Sequence, residues 1–248
     1  MSTRFALVTG GTGAIGTEIC RQLARAGHRV AAIGHPAETE RLPAWIAQLR
    51  AEGIAAQAEL CDLGNYEAAA AAVAKLECAL GPVDILVNAA GVTRDARLMR
   101  MTPQQWREVL AANLDSVFNV THRVFPRMCE RGYGRIVNIS SVNGQKGQFG
   151  QANYSAAKAG MHGFTMAAAQ EGAARGVTVN TVSPGYIATP MTAAIKPEAL
   201  AKIESQIPLG RMGSPADIAR TVVFLAAEEA AYISGANIPV NGGLFMSA

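Results

Sequence analysis

Tyr154 and Lys158 stand four residues apart in YSAAKAGMHGF, with only Ser155, Ala156 and Ala157 between them. On a helix that spacing puts both side chains on one face. A tyrosine phenol ordinarily titrates near pH 10, too high for proton exchange at neutral pH. A cation about 4–5 Å away, at an effective dielectric of ~20, is worth roughly 3–4 kcal/mol, or about 2–3 pKa units as an upper range. The pair therefore reads as a phenol prepared to exchange a proton, with small neighbours that let a ligand lie close. A helix carrying a solvated hydroxyl and ammonium has the same spacing, so the pair alone does not decide.

The second chemical feature is TGGTGAIG, Thr9 to Gly16. Gly11, Gly13 and Gly16 satisfy G-x-G-x-x-G, with Gly10 before the motif and Ile15 inside it. Between a short apolar strand and a helix start, such a turn offers backbone N–H groups and a helix N-terminus to a pyrophosphate. At the end of the next strand, AIGHPAETER has Gly34 and His35 where NAD-binding folds place an acid for the ribose hydroxyls. That favours NADP, with Arg41 meeting the 2′-phosphate. NAD is kept as the alternative because Glu38 and Glu40 lie close.

These residues need a frame, and the chain supplies one. Short runs such as FALVT (Phe5–Thr9), RVAAI (Arg29–Ile33), DILVN (Asp84–Asn88), GRIVNIS (Gly134–Ser140) and VTVNTVS (Val177–Ser183) lack polar alternation. Such runs are buried on both faces, as in a parallel sheet covered by helices. AAQAEL is a weaker third strand and ANIPV (Ala236–Val240) a short last one. Helical patterns occupy Ile15–Ala26, a stretch starting near Pro43, and Tyr66–Leu80. The predicted fold class is α/β: a single doubly wound Rossmann domain, residues 1–248, with a seven-stranded parallel sheet.

The bulk numbers agree. The chain has 248 residues, 50% hydrophobic and 17% charged, enough for one domain with a sizeable core. A net charge of +3 with no Lys/Arg stripe gives no reason to expect nucleic acid. No apolar run is long enough for a signal peptide or a membrane span, so a cytoplasmic protein is expected. Cys20, Cys61, Cys78 and Cys129 form no C-x-x-C pair and read as reduced, small core residues; no metal site is expected. His28, His35, His122 and His162 form no H-E-x-x-H, and there is no G-x-S-x-G elbow.

Ser141 lies thirteen residues before Tyr154, Asn113 falls in the helical LAANLDSVFNV, NAAG spans Asn88–Gly91, and VSPGYIATPM follows the sixth strand. With the glycine turn, this set resembles the short-chain dehydrogenase/reductase family along the whole chain. The resemblance implies Tyr154 as general acid, Ser141 bonded to the substrate oxygen, and Lys158 on the nicotinamide ribose, lowering the tyrosine pKa. Asn113 would hold a water linking Lys158 to solvent. It also implies Asp62 and Leu63 at the adenine, and Asn88, Ala89, Ala90 and Gly91 along the adenosine ribose. Pro184 and Gly185 would lie against the nicotinamide, with Ile187 and Thr189 on its carboxamide. Two positions depart from the family pattern: Ala14 in the glycine turn and Ala89 in N-A-A-G.

The loop NGQKGQFGQANY further resembles the branch of the family that reduces acyl-CoA thioesters at the 3-keto group. This implies Asp95, Ser141, Gln148, Phe149, Gln151, Tyr154 and Tyr186 around the acyl site. An acyl-carrier-protein thioester is the alternative, with Arg131 and Arg175 either docking the carrier or serving as surface charge. A cofactor-binding regulator without turnover is the non-enzymatic alternative. The resemblance also implies a homotetramer, built through apolar faces around Val117–Val124 and Gly160–Ala168. Residues 189–212 are expected to cover the substrate, with Met191, Ile195 and Ile207 toward an acyl chain.

Overall fold

The computed structural model describes residues 3–189 and 197–246. Seven strands form one sheet: β1 (Phe5–Thr9), β2 (Arg29–Gly34), β3 (Gln57–Leu60), β4 (Ile85–Asn88), β5 (Gly134–Ile139), β6 (Val177–Pro184) and β7 (Asn237–Val240). The order is β3-β2-β1-β4-β5-β6-β7, and every adjacent pair is parallel. The order reverses between β1 and β4, which opens a crevice at their carboxyl ends. β1 and β5 are buried along their whole length, as strands sandwiched between helices must be.

The helices are α1 (Ala14–Arg25), α2 (Leu42–Ala51), α3 (Tyr66–Leu80), α4 (Pro103–Leu110), α5 (Ser116–Arg131), α6 (Val142–Lys146), α7 (Ala152–Ala173), α8 (Pro197–Glu204) and α9 (Pro215–Ala226). One apolar layer joins Ile19 and Leu23 of α1 to Ile218 and Val222 of α9 across the sheet. The opposite layer joins Val73 and Leu76 of α3 to Val120, Val124 and Met128 of α5. Beneath the crevice a polar ladder replaces the apolar core. Asn88 donates to Asn138 at 2.8 Å and to Thr121 at 3.1 Å, Asn138 donates to Thr165, and Thr165 bonds Thr181. Each of these side chains is buried and makes at least one bond, although the Asn88 Oδ1 takes none, so the ladder fixes the relative heights of β4, β5 and β6.

Strand positions agree with the sequence reading to within one or two residues. Three expectations change. The chain around Asn113 is a widened π turn, Ala111–Asp115, inserted between α4 and α5. The Asn113 amide takes the Val109 carbonyl at 2.8 Å, the acceptor that a regular helix would use for its own ladder. Only Cys20 is a core thiol; Cys61 and Cys129 are half-buried and Cys78 is exposed, all four free. On the two expected assembly faces Val117, Val120 and Val124 belong to the core, while Phe118 (48%) and Met166 (52%) point out.

Candidate active site

The crevice is lined by two adjoining cavities. The smaller, about 360 Å³, runs past Gly10, Thr12, Gly13, Gly34, Glu38 and Cys61–Gly64 to Ala89–Val92. The larger, about 630 Å³, continues from Gly13–Gly16 to Ser141, Tyr154 and Lys158, then to Pro184, Gly185, Ile187 and Thr189.

The glycine turn has little freedom. A Cβ on Gly16 would stand 2.2 Å from the Gly10 carbonyl oxygen, and one on Gly11 2.6 Å from the Ala32 methyl. Gly10 has φ +63°, a backbone state that suits glycine. Gly13 precedes α1 without any side-chain cap, so the first-turn N–H groups face the crevice. Gly11 packs on β2 rather than lining the cavities. Ala14 begins α1 and lines the larger cavity, so its methyl is accommodated there. The Thr9 hydroxyl accepts from the N–H groups of Ala89 (3.1 Å) and Ala90 (3.3 Å), pinning the NAAG turn beside the glycines. Asn88 itself lies below, in the buried ladder, and only Ala89–Gly91 reach the cavities. This cradle fits the pyrophosphate and sugars of a dinucleotide.

One expectation is corrected at the end of β2. The sequence has no acid at positions 34 and 35, yet a carboxylate does sit there. The turn Pro36–Glu38 folds Glu38 back, so that its Oε2 accepts from the His35 N–H at 2.9 Å and the Thr12 hydroxyl at 2.7 Å. Arg41 lines the larger cavity beside it. Asp62 and Leu63 line the smaller cavity as expected, with Asp62 accepting from the Gly64 N–H.

Ser141 follows β5 in an extended conformation and caps α6, accepting from the Asn143 N–H at 3.1 Å. Tyr154 and Lys158 lie on the first two turns of α7, the Lys158 Nζ 5.5 Å from the tyrosine ring centroid. Lys158 is buried and donates to the Ile139 carbonyl at 2.9 Å. Burial pushes its ammonium down to about 7. Burial also pushes the Tyr154 phenol up, against a lowering by its hydrogen bond to Ser141, and the nearby Asp95 raises it further. Near neutrality Lys158 is then only partly charged, which reduces the field it can put on the phenol. Asn113 is fully buried; its amide donates to Val92 and Val109, and its Oδ1 has no partner. That oxygen and Lys158 Nζ both face Gly91, where a Cβ would stand 2.4 Å and 3.4 Å from them.

The acyl residues are less gathered. Gln151 bridges Asn143 and Asp95, with both bonds at 2.9 Å. Gln148 receives a 3.4 Å bond from Lys146. Phe149 is 79% exposed, under the Arg97 guanidinium at 5.5 Å. Tyr186 is not with them: it lines a separate cavity of about 200 Å³ with Leu209, Arg211 and Asp217. Ile207 packs against Gly242, while Met191 and Ile195 lie outside the described residues. Thr12 and Asn143 are site residues that the sequence reading did not assign, and Glu38 entered it only as the reason for keeping NAD.

A doubly wound domain with a glycine-turn cradle, and a serine, tyrosine and lysine in the same crevice, defines a class of nucleotide-dependent oxidoreductase. The family model described as short chain dehydrogenase matches residues 4–200, and the chain belongs to that family. Family membership implies a nicotinamide nucleotide as cofactor. An acetoacetyl-CoA reductase of Allochromatium vinosum is 54% identical over 243 residues, covering 98% of this chain and 99% of that protein. One of Cupriavidus necator is 51% identical over 246 residues, covering 99% and 100%. A 3-oxoacyl-acyl-carrier-protein reductase of Staphylococcus aureus is 43% identical over 244 residues, covering 98% and 99%.

Proposed function

We propose that this chain reduces acetoacetyl-CoA to (R)-3-hydroxybutyryl-CoA with a reduced nicotinamide dinucleotide. The observation that carries the reading is the convergence of Ser141, Tyr154 and Lys158 in one cavity with the glycine turn. The names of relatives more than 50% identical over the full chain supply the substrate.

The dinucleotide would lie along Gly10–Gly16, Ala89–Gly91 and Pro184–Thr189, and it supplies the hydride. The chain's own residues manage the proton. A phenol held up by burial stays protonated at neutral pH, which is the state a proton donor needs in the reductive direction. Tyr154 gives that proton to the keto oxygen, and the Ser141 hydroxyl bonds the same oxygen. Lys158, poised near pH 7, restores the proton, and the orphan Oδ1 of Asn113 anchors a water on its path to solvent.

Coenzyme A is favoured over a carrier protein because Arg131, one of the two candidate docking cations, is already engaged. It donates to the Val83 carbonyl at 2.5 Å and pairs with Asp84 at 3.4 Å. The reading includes a cytoplasmic homotetramer, for which Phe118 and Met166 supply apolar surface, and the substrate cover expected at residues 189–212, of which 190–196 lie outside the described residues.

Initial rates with acetoacetyl-CoA test it. Turnover is expected in the wild type, with a loss of about 10³-fold in Tyr154→Phe. Turnover confined to carrier-protein thioesters would transfer the reading to that substrate. Failure with every 3-oxoacyl thioester, despite dinucleotide binding, would leave a cofactor-binding protein instead.

A further inference from the structure

We propose that Glu38 makes this site select NAD(H) over NADP(H). The inference rests on reading the crevice as a nicotinamide dinucleotide site. Its starting point is the short sequence His35-Pro36-Ala37-Glu38. Pro36 suits the first position of a helical turn, and the His35 Nδ1 accepts the Ala37 N–H at 3.2 Å. The Glu38 carboxylate returns the bond to the His35 N–H, a reciprocal cap that turns the side chain back onto the strand it has just left. Thr12, from the middle of the glycine turn, holds the same oxygen. A Cβ built on Gly34 would stand 2.8 Å from both Glu38 Oε2 and Thr12 Oγ, so the carboxylate occupies the space just beyond the strand end.

This is where a doubly wound fold receives the adenosine ribose, and Glu38 lines both cavities. Both protein hydrogen bonds end on Oε2; among the described residues Oε1 takes none. A carboxylate oxygen fixed in this way is an acceptor for ribose hydroxyls. It is also a like charge for a 2′-phosphate, which would be placed against it. Arg41 opposes this, since it lines the larger cavity and its N–H bonds the Glu38 carbonyl at 3.0 Å. Its side chain is long and exposed, however, whereas the carboxylate is fixed from two sides. The fixed charge at the centre of the subsite sets the preference, and Arg41 moderates it.

Calorimetric titration of the apoprotein with NAD+ and NADP+, without substrate, measures this apart from catalysis. NAD+ is expected to bind at least about tenfold more tightly than NADP+ in the wild type, the effect of a like charge at the phosphate position. Glu38→Gln should raise NADP+ affinity by about tenfold while changing NAD+ affinity little. Glu38→Ser should raise NADP+ affinity and weaken NAD+ binding, inverting the ratio. Arg41→Ala should weaken NADP+ alone. Equal or tighter NADP+ binding in the wild type, or a ratio of dissociation constants unmoved by both Glu38 variants, would overturn the inference and leave the reductase reading intact. Binding of neither dinucleotide would overturn both.

Discussion

The two sides of the crevice are built of different materials. On the dinucleotide side, β1, β2 and β4 present backbone: a glycine turn packed to contact, an uncapped helix start, and N–H groups pinned by the Thr9 hydroxyl. On the acyl side the groups are long side chains on connecting loops: Gln148 bonds Lys146, Gln151 bonds Asn143 and Asp95, and Phe149 lies under Arg97. The catalytic pair stands at the boundary, carried by α7 yet held from below by the Ile139 carbonyl. The difference separates two tasks. A group common to many reactions is received mainly by backbone, crowded at Gly11 and Gly16, with Glu38 the fixed side chain at its far end. The substrate is received by side chains that can be exchanged without disturbing the sheet.

Removing Lys158 should have a larger effect than a change confined to either side, because it belongs to both. Lys158→Met is expected to lower kcat by about 10²–10³-fold. It should also stabilise the fold. The folded amine titrates near 7, against 10.5 for a free lysine. Below pH 7 both states hold the proton, and the folded state bears the full cost of burying the charge. Between about pH 7 and 10.5 the unfolded chain binds more protons, so this group makes stability rise with pH across that window. The variant should therefore melt at least about 2–4 °C above the wild type at pH 6, with the difference shrinking toward pH 10. A difference that does not change with pH would mean that Lys158 keeps an ordinary pKa in the fold.

Gly16→Ala tests the rigid side. Its methyl would meet the Gly10 carbonyl oxygen at 2.2 Å and the Gly11 Cα at 2.7 Å, and both of these are backbone atoms. The turn must move, which costs about 1–3 kcal/mol of stability and weakens dinucleotide binding by about tenfold or more. Calorimetry and a melting curve read both. Unchanged binding would show that the cradle is softer than its packing implies.

How far each side could be read in the sequence follows the same division. Apolar runs without alternation located the strands because burial on both faces leaves no other pattern, and the glycine turn was legible because its geometry excludes side chains. Tyr154, Lys158 and Ser141 were legible as a spacing. What escaped depended on side-chain direction. Glu38 lies four residues past the strand end and reaches it only because His35 and Pro36 start a reciprocal cap. The cap-x-x-Glu spacing was the available signal. Tyr186 follows β6 in sequence but turns into another cavity, and nothing in its neighbours shows which way it faces. The state of Lys158 also lay beyond spacing, since a four-residue separation fixes a distance but not the burial that pushes the ammonium down.

Gln151→Ala tests the exchangeable side and should have the smallest effect. Gln151 accepts from Asn143 and donates to Asp95, and Asn143 in turn gives its N–H to Ser141. The side chain thus ties the rim of the acyl site to the residue that would meet the keto oxygen. It touches neither the glycine turn nor the sheet core. The variant should raise KM for acetoacetyl-CoA about fivefold, with kcat within about twofold, since binding is lost equally in ground and transition states. Dinucleotide affinity and melting temperature should stay at wild-type values. A matching fall in kcat would place Gln151 in the orientation of Ser141 and move the boundary between the two sides one residue outward. A loss of dinucleotide affinity would remove the boundary, because the rim would then be supporting the cradle.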